Sequence, residues 1–227
     1  MPRYAISDIH GCSKTFEKLL FETLKIQKTD ELYLLGDYID RGPDSKGVID
    51  LILLLQENEY DVHCLMGNHE AMMLESELEL WDKFNWKEQG GRETLQSFGA
   101  SNLGEIPELY WQFLRDLHLV EELEDYILVH AGFNFKHDDF LEDDQAMLWI
   151  RNWHKDIKPE VLKGRVIIHG HTPTDRHLIE NMLDNDPLLV IDIDAGCVYN
   201  TYENLGHLCA FEMDSKTLVF ERNIDFD

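Results

Sequence analysis

The first third of the chain alternates two kinds of segment in its apolar and polar positions. Short β-prone runs at Arg3-Tyr4-Ala5-Ile6-Ser7, Leu32–Leu35 and Val62-His63-Cys64-Leu65-Met66 are separated by segments with helical spacing. Phe16, Leu19, Leu20 and Leu24 fall on one face of the first such segment. The second starts at Ser45, or at Asp44 before it, and runs through Val48, Ile49 and Leu51 to Leu55. Being apolar nearly all round, it is expected to be buried. Strand–helix–strand order of this kind builds a layered α/β fold.

From Ala71 to Asp125 the pattern changes. Met72, Met73, Leu74, Trp81, Phe84 and Trp86, then Tyr110, Phe113, Leu114 and Leu117, predict helices with an aromatic face, broken at Gln89-Gly90-Gly91. These aromatics are expected to serve the core. The strand pattern returns at Tyr126–Val129, Arg165–Ile168 and Leu188–Ile193. Leu208–Met213 and Leu218–Glu221 predict a terminal hairpin around Asp214-Ser215-Lys216. With the late half mainly strands, the expected fold is two packed sheets flanked by helices. It forms one domain over residues 1–227, with a helical insertion at about 71–125.

Composition narrows the class. With 227 residues, 44% apolar and 29% charged, the chain is ordinary for a globular protein and excludes a disordered one. A net charge of −25 repels nucleic-acid backbones and anionic membranes. No apolar run approaches the ~18 residues of a membrane span, and no secretory leader is recognisable, so a cytoplasmic location is expected. Cys12, Cys64, Cys197 and Cys209 form no C-x-x-C pair and are expected to be reduced core thiols.

The chemistry lies where the strands stop. Leu34-Leu35-Gly36-Asp37-Tyr38-Ile39-Asp40-Arg41-Gly42-Pro43 sets two carboxylates and a guanidinium within five residues. Taken alone it fits a solvated turn as well as a metal site with a phosphate-binding arm. Recurrence decides between them. Five strand ends carry Asp8 and His10, Asp37 and Asp40, Asn68 and His69, His130, and His169 with His171. In open α/β sheets such ends converge on one place. Mixed carboxylate, amide and imidazole donors suit Mn²⁺, Fe or Zn²⁺ better than Mg²⁺ or Ca²⁺. Donors from so many segments can hold two ions, and such pairs activate water for an in-line phosphoryl displacement.

Asp8-Ile9-His10-Gly11, Gly36-Asp37-Tyr38-Ile39-Asp40-Arg41-Gly42, Gly67-Asn68-His69-Glu70, His130-Ala131-Gly132 and Gly170-His171-Thr172-Pro173 stand in order over roughly residues 6 to 173. In this the chain resembles the calcineurin-like metallophosphoesterases. The match is nearest the phosphoprotein phosphatase branch with its bacterial and phage serine/threonine phosphatases, and symmetric diadenosine tetraphosphate hydrolases are close relatives of that branch. The resemblance implies a four-layer sandwich holding two divalent ions, Mn²⁺ first, with Fe, Zn²⁺ or Mg²⁺ as alternatives. Asp8 and His10 would bind the first ion, Asp37 would bridge, and Asn68, His130 and His171 would complete the second. His69, oriented by Asp40, would be the general acid, its pKa raised by that carboxylate. Arg41 and Arg151 would clamp phosphate beside Asn68.

The activity so implied is hydrolysis of phosphoserine, phosphothreonine or phosphotyrosine in proteins, by direct attack of a metal-bridging hydroxide. A phosphoprotein or phosphopeptide is then the partner. The alternative is hydrolysis of diadenosine tetraphosphate or another nucleotide polyphosphate, and a metal-binding scaffold without activity is disfavoured by the complete ligand set. Pro173 stands where many other relatives carry a second histidine, which speaks against a phosphodiesterase or DNA-repair nuclease. His169 has no role in the pattern and is expected in the second shell or core. His63, His118, His137, His154, His177 and His207 match nothing, and Tyr199 is a candidate for the pocket wall. Trp86, Gly90, Gly91, Thr94 and Gly99 resemble a pattern of the bacterial members.

Overall fold

The computed structural model describes residues 1–77 and 84–226, so Trp81 lies outside the described residues. Three parallel strands, β1 (Arg3–Ile6), β2 (Glu31–Leu34) and β3 (Asp61–Cys64), form half of a first sheet. The terminal hairpin, β8 (His207–Glu212) and β9 (Thr217–Arg222), adds to it antiparallel, in the order β3-β2-β1-β8-β9. The second sheet has the order β4-β5-β6-β7, from Val120–Glu122, Tyr126–Val129, Val166–His169 and Val190–Asp192. Only β4 runs antiparallel in it. Both sheets are therefore mixed, and the two-sheet expectation holds.

Strand periodicity fills the space between the sheets. Ala5, Tyr33, Leu35 and Leu65 from the first sheet meet Tyr126, Leu128, Ile168 and Ile191 from the second, all buried. Alternate residues face outward: Ile6, Leu32 and Leu34 pack under α1 (Ser13–Lys18) and α2 (Ser45–Glu57). Ile127, Val129 and Ile167 pack against Phe133, Trp153 and Leu162 on the far side of the second sheet. Arg3 ties the layers together, donating to Asp125 at 2.9 and 2.8 Å and to Asp214 at 3.1 and 2.8 Å.

Register sets up the site. Ile6 lies opposite Leu34, and Leu34 opposite Cys64, so the three parallel strands end level. In the second sheet His169 lies opposite Asp192. The loops after β1, β2, β3, β5 and β6 therefore leave their sheets at carboxyl ends, where open α/β sheets bind ligands.

Some expectations change. Helix α2 is capped as expected, with Asp44 Oδ1 accepting from Gly47 N at 2.9 Å. It is not buried all round: Val48, Ile49, Ile52 and Leu55 face the sheet while Leu54 is 54% exposed. A helix lying on one sheet has a single face to bury. The helix after β1 widens into π-type turns over Leu19–Leu24 and closes at Lys25 with φ 56°. Among the described residues between Ala71 and Asp125 lie the helices α3 (Asn68–Glu75), α4 (Arg92–Ser97) and α5 (Glu108–Arg115), and the unforeseen edge strand β4. The late half also carries α6 (Asp144–Trp149), α7 (Pro159–Leu162) and α8 (Arg176–Met182). Helices of four to seven residues have at most two turns, too short for periodicity to register.

Candidate metal centre

Five of the motif side chains sit on residues in left-handed backbone: His10 (φ 46°), Asp37 (54°), Asp40 (71°), Arg41 (69°) and His171 (71°). Such conformations cost non-glycine residues free energy, and they persist where the surroundings over-determine them. At Asp37 a buried carboxylate does so. Glu70 lies in the first turn of α3, and its Oε2 accepts from Gly67 N at 2.9 Å and Asp37 N at 2.8 Å. Its Oε1 accepts from Tyr38 N at 2.8 Å and Ile39 N at 3.3 Å. One side chain thus moulds the loop that presents Asp37. Glu70 was quoted above within its motif without a role, although an acid three residues past a helix start is the local signature of such back-bonding.

The sheet ends bury the predicted donors near one another, though Asp8 falls in neither of the two compact groups. Asp8, His10, Asp37, Asn68, His130 and His171 are all buried. Ligand atoms of His10, Asp37 and His69 form one compact group, and those of Asp37, His130 and His171 a second, each within 4.8 Å. Asp37 belongs to both. Its Oδ2 is 3.4 Å from His10 Nε2, and its Oδ1 is 3.5 Å from His130 Nε2. Asn68 Oδ1 lies 3.0 Å from His130 Nε2 and 2.9 Å from His171 Nδ1. Asp8 accepts from the Ser7 hydroxyl and from His171 N, the latter at 3.1 and 3.2 Å.

Backbone carbonyls select the tautomers. His10 Nδ1–H donates to Ile39 O at 2.9 Å and His130 Nδ1–H to Leu35 O at 2.9 Å, leaving both Nε2 lone pairs facing inward. Burial, with the nearby Arg41, holds His10 down at about 3. Burial, with His130 and Arg151, holds His171 down at about 2. These imidazoles stay neutral and keep their lone pairs. Burial and the charge of Asp8 push Asp37 well above the carboxylate range. Two carboxylates packed together without a cation cannot both carry charge.

Divalent ions fit this donor set. The imidazoles present lone pairs, the carboxylates press on one another, and buried His69 Nε2 and His171 Nε2 have no hydrogen-bond partner among the described residues.

Beside the donors lies a second network. His69 Nδ1–H donates to Asp40 Oδ2 at 2.7 Å. The same carboxylate accepts from Trp86 Nε1 at 2.9 Å and from Thr94 Oγ1 at 2.6 Å. The segment between β3 and β5 therefore completes the pair, a contact no local pattern announces. Burial pushes Asp40 well above its ordinary value. Burial, with the neighbouring His10 ring and the Arg41 charge, pushes His69 well below its own. The expectation that Asp40 would raise the imidazole is thus corrected, because desolvation outweighs the attraction of the pair. Thr94→Val should lower kcat roughly tenfold, as expected for a partner one shell out from the reacting groups. Steady-state kinetics and elemental analysis check this, with unchanged metal content expected.

Arg41 Nη1 lies 2.6 Å from His10 Nε2, and its guanidinium stands 5.9 Å over the Tyr199 ring. Arg151 is exposed and donates to Thr172 Oγ1 at 2.9 Å, beside His171. His169 is buried, as expected, and its Nε2 meets His154 Nε2 at 2.7 Å.

A sequence profile described as calcineurin-like phosphoesterase matches residues 1–195. The symmetrical bis(5'-nucleosyl)-tetraphosphatase of Buchnera aphidicola subsp. Schizaphis graminum is 30% identical over 138 residues, 61% of this chain and 47% of the relative. Its namesake from Wigglesworthia glossinidia brevipalpis is 31% identical over 169 residues, 72% of this chain and 58% of the relative. The chain spans about half the length of the curated relatives it matches. In fold it is similar to a Saccharomyces cerevisiae serine/threonine phosphatase with similarity to human phosphatase PP5. The TM-score is 0.66 at 15% identity, over 97% of this chain and 79% of that one. A provisionally assigned diadenosine tetraphosphatase gives a TM-score of 0.65 at 22% identity, over 96% and 92%. With the profile covering most of its length and the donors gathered at the sheet ends, the chain belongs to the calcineurin-like phosphoesterase family.

Proposed function

We propose that the chain is a metal-dependent phosphoesterase that hydrolyses nucleoside polyphosphates, with symmetrical cleavage of a dinucleoside tetraphosphate as the reaction class. The observation that carries the phosphoesterase reading is the pair of donor groups sharing Asp37, with Arg41 at their edge. The named curated relatives support the nucleotide substrate over the phosphoprotein ranked first from the sequence. Likeness to a protein phosphatase at 15% identity concerns the fold and not the substrate.

In this reading Asp8 and His10 hold one ion, Asn68, His130 and His171 the other, and Asp37 both. Mn²⁺ is the first candidate, since imidazole, amide and carboxylate together favour a transition metal. Bound there, two divalent ions supply Lewis acidity, lowering the pKa of water and spreading the charge of a phosphoryl group in transfer. The residues do the rest. Arg41 and Arg151 grip the phosphoryl oxygens, Arg41 with a planar fork that matches them. Glu70 fixes the backbone from residue 37 to 39 so that Asp37 need not reorganise. His69 keeps Nδ1–H on Asp40 and presents Nε2 to the leaving oxygen.

A substrate panel on Mn²⁺-loaded protein tests the reading, with diadenosine tetraphosphate, phosphoserine peptides and p-nitrophenyl phosphate. The dinucleotide should show the highest kcat/KM, cleaved to two equivalents of adenosine diphosphate. A phosphopeptide preferred by tenfold or more would return the protein phosphatase to first place.

A further inference from the structure

Next to the metal centre is a groove of about 600 Å³, within the range of small-ligand sites. Resting on the nucleotide reading above, we infer that it receives the nucleoside-phosphate portion flanking the reacting phosphoryl group. Lys87 is its phosphate contact and Tyr199 its base platform.

Position comes first. Arg41 lines the groove and also touches His10 Nε2, so a phosphate held on its guanidinium stands at the mouth of both sites. The wall that carries Lys87 and Gln89 is brought there by a close backbone contact. Arg41 N donates to Gly90 O at 3.3 Å, and Gly90 has φ 118°. A Cβ on residue 90 would come within 2.5 Å of Arg41 N and 2.9 Å of Arg41 Cγ, so only glycine permits the approach.

Charge comes second. The chain has 45 acidic against 20 basic residues, so a half-buried cation should readily find a carboxylate. Of the three half-buried lysines among the described residues, Lys18 pairs with Glu221 and Lys46 with Asp50. Lys87 pairs with none among the described residues, and it lines the same groove as Arg41, where Arg92 is paired with Glu88 and Glu93 also stands. A phosphopeptide brings one phosphate, which Arg41 would occupy. A second cation further along has work only if the substrate continues as a phosphate chain.

Shape comes third. Tyr199, also lining the groove, is half-buried beneath the Arg41 guanidinium, and Phe226 beside it in the lining is 45% exposed. Asn200 adds an amide beside them. An aromatic face with a neighbouring cation and amide is suited to a stacked base, and stacking tolerates any base.

The test uses the full chain with Mn²⁺ in kinetics, and calorimetric titration with adenosine diphosphate and inorganic phosphate. Lys87→Glu should lower the ratio of kcat/KM for diadenosine tetraphosphate over p-nitrophenyl phosphate roughly tenfold, and weaken adenosine diphosphate binding by a similar factor. Inorganic phosphate binding should change far less. Lys87→Arg should restore most of the ratio, and Tyr199→Leu should lower it several-fold. Lys25→Glu, an exposed charge outside the groove, should leave it unaltered, which separates a local contact from general repulsion. If wild type cleaves the dinucleotide and binds adenosine diphosphate but Lys87→Glu and Tyr199→Leu leave both unchanged, the groove is not the subsite and the nucleotide reading stands. If wild type turns over p-nitrophenyl phosphate and ignores the dinucleotide, that reading falls and this assignment with it.

Discussion

Asp37→Asn is expected to leave the protein without both of its ions at concentrations that load the wild type with two. Both donor groups pass through this one carboxylate, whereas His10 belongs only to the first and His130 and His171 only to the second. The substitution keeps the shape of the side chain and can still accept from His69 N, as Asp37 Oδ1 does at 3.0 Å. What it removes is the charge that two cations share. Losing an outer-shell partner costs metal affinity ~10–100-fold, and losing a shared ligand should cost at least the upper figure at each site. His10→Ala should weaken mainly one ion. Elemental analysis after dialysis against graded free Mn²⁺ reads both results, and two ions per chain at wild-type affinity in Asp37→Asn would remove Asp37 from its shared position. The sign with pH follows from burial. Asp37 is held above the carboxylate range, so in the absence of ions it retains a proton that binding must displace. Affinity should therefore rise with pH until Asp37 is ionised, while His10, held at about 3, does not compete for protons near neutrality.

The second large effect is expected from His69→Asn, and the leaving group exposes it. Burial and surrounding positive charge keep the imidazole neutral, with Nδ1–H on Asp40 and a lone pair on Nε2. Nε2 must take up a proton before it can give one to a departing oxygen. General-acid help is worth ~10²–10⁴-fold and matters most when that oxygen is strongly basic. Loss of kcat should accordingly be large on a phosphoserine peptide, whose serine alkoxide leaves poorly, and small on p-nitrophenyl phosphate. A dinucleotide departs on a phosphate oxygen, which is much less basic than an alkoxide, so its loss should fall well below that of the peptide. Asp40→Asn should show the same bias in milder form, because it removes only the group that orients the ring. Metal content must be read alongside, since His69 Nε2 also lies within reach of His10 and Asp37. Equal losses on every substrate, or a missing ion, would make His69 a ligand or a positioning group and send the proton elsewhere.

Much of the site was legible before folding because strand ends announce themselves. Each motif is a short run in which a β-prone stretch stops at residues that bind metals or phosphate, and a parallel sheet brings such ends level by its register. The donors were therefore nameable one by one, and the layered architecture followed from the order of apolar runs. The hairpin and the strands other than β4 are legible for the same local reason. The short helices at Asp144–Trp149 and Pro159–Leu162 were missed because so few residues carry no period.

What only the tertiary structure decided are the contacts that cross the chain. Trp86 and Thr94 reach Asp40 over 46 and 54 residues, and Glu70 binds four backbone N–H groups, three of them more than 30 residues away. The direction of the His69 shift also belongs here, since burial and neighbouring charges set it and neither is visible in the spacing of the motif. Lys87 reads in sequence as one of twelve lysines, and only the fold leaves it half-buried, without an ion pair among the described residues, and in one groove with Arg41. Motif residues are chosen by local chemistry, which a sequence states outright. Their protonation, their strain and the walls around them depend on desolvation and on partners brought near by packing, and those exist only once the chain has closed.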